Sequence, residues 1–151
     1  MYKKILIVDK EPDMLQLLSR LIRENTPYEP VTTNNPFEAY ELVKKGDIAL
    51  VIAEMKMPVI DGIKLLEEIR HINPDIPVII TATYGTVEHA IEAMNKGAFD
   101  FITKPFRKEQ ILFSIDNALK LAKLTKDNKT LREWFKTADR KNFPADILLA
   151  T

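Results

Sequence analysis

The sequence predicts an α/β domain built on a doubly wound, five-stranded parallel sheet. Short apolar runs alternate five times with segments of helical spacing, so the hydrophobic period switches between strand and helix along the chain. The runs are apolar at nearly every position, the mark of strands covered on both faces, whereas a half-exposed strand would alternate. At 151 residues, 46% of them hydrophobic, the chain can bury one ordinary core and carry an extension. Strand–helix alternation of this kind calls for a parallel sheet between two helical layers.

The first strand is KKILIVD (Lys3–Asp9). Behind it Pro12 suits a first helical turn, and Met14, Leu17, Leu18, Leu21 and Ile22 recur at helical intervals. YEPVTT is a weaker second strand whose Pro30 favours a sheet edge. The second helix, NNPFEAYELVKKG, has an asparagine cap, an early proline and a terminal Gly46. IALVIAE, GIKLLEEIRHIN, IPVIITA, TVEHAIEAMNKG and AFDFIT then read as third strand, third helix, fourth strand, fourth helix and fifth strand. Within AFDFIT, alternation explains Phe99 and Phe101 as ordinary strand residues, in place of a stacking platform. After Lys104-Pro105 a helix begins near Lys108 and runs to about Arg140.

Several function classes fall away on composition. With no cysteine, disulfides and thiolate metal sites are excluded. The longest apolar runs are six or seven residues and the N-terminus turns acidic early, so no membrane span or signal peptide is expected and a soluble, cytoplasmic protein is. Formal net charge is zero, yet Lys120 to Lys141 holds eight basic residues against three acids, a net of +5. These charges scatter around a helix and read as a solvated face, with no direct nucleic-acid binding expected. His71 and His89 lack a second ligand at metal spacing. No glycine-rich phosphate loop follows the first strand, because DKEPD holds no glycine, and no Ser or Cys stands at a nucleophile elbow.

In doubly wound sheets, ligands sit outside the carboxyl ends of the strands, where the winding reverses. Here those ends carry Asp9-Lys10-Glu11, Glu54, Ala82-Thr83 and Lys104-Pro105. Acids and lysines therefore converge on one rim from distant parts of the chain. The apolar run LVIAEMKMPVIDG ends in a single acid, Glu54, and a Met-Pro and an Asp-Gly follow at once.

ILIVDKEPD, ALVIAEMKMPVIDG, PVIITATYG and KGAFDFITKPF stand in the order and at the separations of the receiver domain of two-component response regulators, and the chain resembles that family from about Lys3 to Leu121. The resemblance implies a flavodoxin-like, CheY-like (βα)5 fold that takes a phosphoryl group from a histidine kinase on an aspartate ending the third strand. It implies an acid pair after the first strand that helps hold Mg²⁺, and a Ser/Thr and a Lys that bind the phosphoryl oxygens. An aromatic in the fifth strand would report the switch. Matched residue by residue, Asp9 falls on the first acid, Lys10 on the second, Glu54 on the phosphoacceptor, Ala82 on the Ser/Thr, Phe101 on the aromatic and Lys104 on the lysine. Glu11, Lys56, Thr83 and Pro105 complete the expected pocket, and the Lys104-Pro105 bond is cis in the family.

Three positions depart from the pattern. Glu54 extends the reach of the acceptor by a methylene, about 1.5 Å, and in-line transfer tolerates such misplacement poorly. Lys10 puts a cation where a hard dication expects a carboxylate oxygen. Ala82 cannot donate to a phosphoryl oxygen, and alternation points Thr81 and Thr83 to the other face unless the strand end bulges. The family pocket, three aspartates and a lysine, demands a dication, whereas Asp9 and Glu54 against Lys10 and Lys104 sum to zero. Lys10 in the place of Mg²⁺ is the reading that follows, with Lys10 swung into solvent, or Glu11 recruited as the second acid, as the alternatives.

The expected organisation is a receiver over residues 1–121, a helical linker and candidate coiled coil over 122–141, and a tail over 142–151 that either folds back or starts a missing output region. Leu121, Leu124, Asn128, Leu131, Phe135 and Ala138 recur at heptad intervals, and a buried Asn at an a position fixes pairing in parallel dimers. A homodimer is expected. The function expected is a pseudo-receiver, not an enzyme, that acts through protein interaction and dimerisation at the front of an enhancer-binding transcriptional activator. Its partners would be a histidine kinase or another signalling protein. It needs no cofactor, with Mg²⁺ on Asp9 and Glu54 only if the site is competent. Two rivals stand beside it: a receiver that still takes phosphate in Mg²⁺-dependent fashion, and a small-ligand sensor using the vacated pocket.

Overall fold

The computed structural model describes residues 2–142, with side chains up to Asp127 and at Trp134. Among these residues the elements alternate as β1 (Lys4–Val8), α1 (Pro12–Asn25), β2 (Glu29–Thr33), α2 (Pro36–Lys45), β3 (Ile48–Glu54), α3 (Gly62–Ile72), β4 (Val78–Ala82), α4 (Val87–Asn95), β5 (Asp100–Thr103) and α5 (Lys108–Asn142). The strands form one parallel sheet in the order β2-β1-β3-β4-β5. β2 lies on one side of β1 and β3 on the other, so the winding reverses between β1 and β3 and opens a crevice at their carboxyl ends.

Local chemistry starts each helix where it is needed. Pro12 opens α1, and Asn35, Asp61 and Thr86 cap α2, α3 and α4 by accepting from the backbone N–H of Phe37, Lys64 and His89. Pro30 lies in the edge strand β2, where its missing N–H removes little from the ladder. Gly46 ends α2 with a φ of +98°, a conformation that side chains resist.

The alternation of strand side chains splits the core into two layers. Ile5, Ile7, Leu50, Ile52, Ile79 and Ile102 pack against Leu18, Leu21 and Ile22 of α1 and Ile111, Ile115 and Ala118 of α5. Leu6, Val8, Val51, Ala53, Ile80 and Ala82 face α2, α3 and α4 on the opposite side. This double cover explains why β3 and β4 read as unbroken apolar runs.

Phe99 departs from expectation. The strand begins at Asp100, so Phe99 precedes it and packs on the α1/α5 layer, while Phe101 packs on the other. Asp100 anchors the start of β5, since its Oδ1 accepts from the Phe101 N–H at 2.8 Å and its Oδ2 from the Ser114 hydroxyl at 2.7 Å.

Helix α5 is longer than the domain needs. Its buried side ends near Ala118, and Phe113, Leu121 and Leu124 turn outward. Beyond that point the Lys126 ammonium stands 5.1 Å from the ring centroid of Tyr2, which ties the helix to the start of the sheet. The expected seam side chains at Asn128, Leu131 and Phe135, and the tail over 143–151, lie outside the described residues.

Candidate functional site

The carboxyl ends of the strands build the site. Asp9 follows β1, Glu54 ends β3, and Lys104 follows β5. All three are buried, Asp9 and Glu54 at 1% exposure and Lys104 at 7%. The Lys104 ammonium donates to Asp9 Oδ2 at 2.7 Å and to Glu54 Oε1 at 3.2 Å. One cation thus holds two carboxylates that would otherwise repel, the arrangement that makes buried charge tolerable.

Lys10 completes the site from the rim. Its backbone N–H donates to Glu54 Oε2 at 3.2 Å, and its ammonium donates to the Lys56 carbonyl at 3.2 Å and stands 3.8 Å from Glu54 Oε1. The Lys10 side chain remains 45% exposed, so it is neither a buried ligand nor a free surface charge. The Glu11 side chain points to solvent and its backbone N–H donates to Asp9 Oδ1 at 2.9 Å, which leaves its carboxylate out of the site.

Every carboxylate oxygen in the cluster therefore faces a donor. Asp9 Oδ1 takes the Glu11 N–H, Asp9 Oδ2 the Lys104 ammonium, Glu54 Oε2 the Lys10 N–H, and Glu54 Oε1 the Lys104 ammonium with that of Lys10 beyond it. These oxygens, with the Lys56 carbonyl, are the ones a hard dication would need. Among the described residues, no group of three or more His, Asp or Glu side chains is placed to share a metal ion.

Burial pushes the Glu54 carboxyl above the ordinary glutamate value, and the neighbouring Asp9 carboxylate adds to the rise; the Lys10 N–H and Lys104 oppose it.

The loop after β3 is folded back onto the strand it leaves. The Gly62 N–H donates to the Met55 carbonyl at 2.7 Å, and a Cβ on Gly62 would collide with the Glu54 carbonyl oxygen. Asp61 caps α3 from the same turn. The Met-Pro and Asp-Gly that follow Glu54 in sequence thus fix the backbone that carries it. Between them the Ile60 N–H donates to the Pro58 carbonyl at 2.8 Å, and Val59, the residue enclosed, has a φ of +70° and is 88% exposed. A β-branched residue in this γ-turn is strained.

The remaining expected residues divide. Ala82 is buried in the α2–α4 layer and Thr83 is exposed. Thr81, expected on the other face, is buried and pairs with Glu54 across the β3–β4 ladder, because alternation from Ile79 and Ile102 brings position 81 and not 82 to the site's face. Lys56 contributes its carbonyl while its side chain lies in solvent. The Lys104-Pro105 bond is cis. Phe101 is half-buried beside Gly85. His71 is exposed in the last turn of α3. Sequence reasoning missed the backbone donors of Lys10 and Glu11, the Lys56 carbonyl and Gly85. Backbone groups leave no residue-type signal; Gly85 was visible only as one glycine in a loop.

The sequence profile for the family described as "Response regulator receiver domain" matches residues 5–116. The transcriptional regulatory protein GlrR of Escherichia coli strain K12 is 36% identical over 116 residues, 76% of this chain and 26% of that protein. The chain spans about a quarter of the length of this and other curated relatives it matches. A crystal structure of a response regulator receiver domain protein from Clostridium thermocellum is 34% identical, with a TM-score of 0.76 over 82% of this chain and 98% of that one. The beryllofluoride-activated NtrC4 receiver domain, solved in solution as a dimer, is 31% identical, with a TM-score of 0.75 over 79% of this chain and 98% of that one.

Proposed function

This chain belongs to the response regulator receiver domain family, and from that premise we propose that it is a receiver module of two-component signalling whose usual phosphotransfer site is closed. Receiver domains are signalling modules that engage histidine kinases, dimerise, and in general use Mg²⁺ at the phosphorylation site. The observation that carries the proposal is the donor accounting at Asp9 and Glu54. Each carboxylate oxygen already accepts from a backbone N–H or a lysine ammonium. The donor set does not fit Mg²⁺, because the cation position between Glu54 and the Lys56 carbonyl is taken by Lys10.

The experiment pairs a phosphorylation assay with metal titration. The intact chain, mixed with a small-molecule phosphodonor, should show no phosphorylated species by intact mass, and calorimetry should show no Mg²⁺ uptake at millimolar concentration. The variant carrying Lys10→Asp and Glu54→Asp together should recover both, because Thr81 already pairs with Glu54 on the site's face of the sheet. A stoichiometric adduct on Glu54 in the unaltered chain would sink the proposal.

The closed site leaves protein contact as the means of signalling. GlrR, whose name describes a transcriptional regulatory protein, aligns with this chain at only a quarter of its own length. We read the chain as the front module of an enhancer-binding regulator of that kind. Its dimer would form through α5, where Leu121 and Leu124 are 53% and 60% exposed at the first two seam positions. Sedimentation of the intact chain checks this, and a monomer at ~100 μM, far above a useful affinity, would refute it.

A further inference from the structure

Helix α5 outruns the core that holds it. Ala118 is fully buried, whereas Leu121 and Leu124 are 53% and 60% exposed. On the flank toward β4 and β5, Leu121, Ala122 and Thr125 face Pro74, Pro77 and Phe99 across a cleft of about 450 Å³. Pro77 stands just before β4 and Phe99 just before β5, so the far wall of the cleft is the amino edge of the sheet on that side. Most of these facing groups are apolar, and apolar surface left in water favours closure. A gentle bend of α5 beyond Ala118, of the kind long helices adopt, would narrow the cleft.

A contact on the other side of the sheet opposes that bend. The Lys126 ammonium, one residue past Thr125, stands 5.1 Å from the ring centroid of Tyr2. Tyr2 precedes β1, and β3 separates β1 from β4 in the sheet, so the contact draws the helix away from the cleft. Its footing is firm. The Lys3 N–H donates to Asp47 Oδ1 at 3.0 Å, the Lys4 N–H donates to the Asp47 carbonyl at 3.1 Å, and the Lys3 carbonyl accepts from the Glu29 N–H at 2.9 Å. The ring therefore stands on backbone tied to the starts of both neighbouring strands.

We propose that Tyr2 and Lys126 form a strap that holds the outer part of α5 off the domain, keeps the cleft open and leaves Leu121 exposed. With the strap released, the helix closes on Pro77 and Phe99 and takes Leu121 out of solvent. An ammonium over an exposed ring is worth a factor of about two to five in such a balance. That is enough to favour the open bearing and small enough to be undone by whatever engages Tyr2 or Lys126. The strap does not depend on whether Glu54 takes a phosphoryl group, and it sets the bearing of α5 within one chain. It therefore stands or falls apart from the readings of the closed site and of the dimer.

The chain has no cysteine, so a thiol introduced by Thr125→Cys reports on the cleft alone. Lys123→Cys, at an exposed position that does not line the cleft, is the control. Each thiol is reacted with a soluble maleimide in the intact chain, at two protein concentrations roughly a hundredfold apart. Tyr2→Leu keeps apolar bulk and removes the aromatic face. It should slow the reaction at Thr125→Cys by roughly two- to fivefold and leave that at Lys123→Cys unchanged. Tyr2→Phe should keep the unaltered rate, and in a Lys126→Met background Tyr2→Leu should change nothing. An unchanged or faster reaction at Thr125→Cys overturns the strap, and so does an equal effect of Tyr2→Leu in both backgrounds. A slowing that both thiols share, or that appears only at the higher concentration, also overturns it, because association of chains then accounts for the protection.

Discussion

The floor and the rim of the site each bring a lysine to the same carboxylate, and they hold it differently. On the floor, Lys104 is 7% exposed and bonds both Asp9 and Glu54. On the rim, the Lys10 side chain is 45% exposed, lies 3.8 Å from Glu54 and bonds a backbone carbonyl. The residue type and formal charge are the same. Burial sets them apart, because the attraction between charges grows as water is excluded and is screened where water remains. The buried floor pair therefore has more to lose when its cation is removed than the half-solvated rim pair.

The largest effect should come from the floor. Lys104→Met removes the cation bonded to both buried carboxylates, and urea denaturation at neutral pH should show a loss of about 3–5 kcal/mol, the usual cost of breaking a buried pair from one side. A loss below about 1 kcal/mol would mean that the floor is solvated and that the contrast with the rim is unfounded.

Glu54→Gln isolates the shared carboxylate. Its folded-state value is raised above 4.5, so the contribution of Glu54 to stability is fully present below that pH and is lost as pH rises through the raised folded value. Stability of the unaltered chain relative to Glu54→Gln should therefore fall as pH is raised from about 4.5 toward neutrality. Denaturation midpoints of the two proteins across that range give the difference directly. A relative stability that rises over the same window would mean that Lys104 and the Lys10 N–H outweigh desolvation.

The smallest effect belongs to the rim. Lys10→Ala leaves the backbone N–H that bonds Glu54 in place and removes a half-solvated ammonium, so the loss should stay below about 1 kcal/mol and shrink further in high salt. A loss of 2 kcal/mol or more would make Lys10 part of the floor.

Much of this molecule was legible before any coordinates. Runs such as IALVIA and IPVII are apolar throughout because both faces of β3 and β4 are covered, and that cover is written into the period of the sequence. Pro30 announced an edge strand, Asn35 a helix cap, and the acids and lysines at strand ends a common rim. Each of these is a local preference or follows from the strand–helix alternation, so residue order alone suffices.

Tertiary structure decided what depends on distance between parts of the chain. Phe99 and Phe101 are two apart, yet they face different layers because Asp100 anchors the strand start against Ser114. Lys10 and Lys104 were equal partners on charge alone, and only burial ranked them. The need for glycine at Gly85 has no backbone signature, since its φ is not positive; it arises where the Phe101 ring arrives from another strand. The bonds that close the site run through the N–H groups of Lys10 and Glu11 and the Lys56 carbonyl. Every residue except proline carries these groups alike, so only the folded path of the backbone could bring them to Asp9 and Glu54.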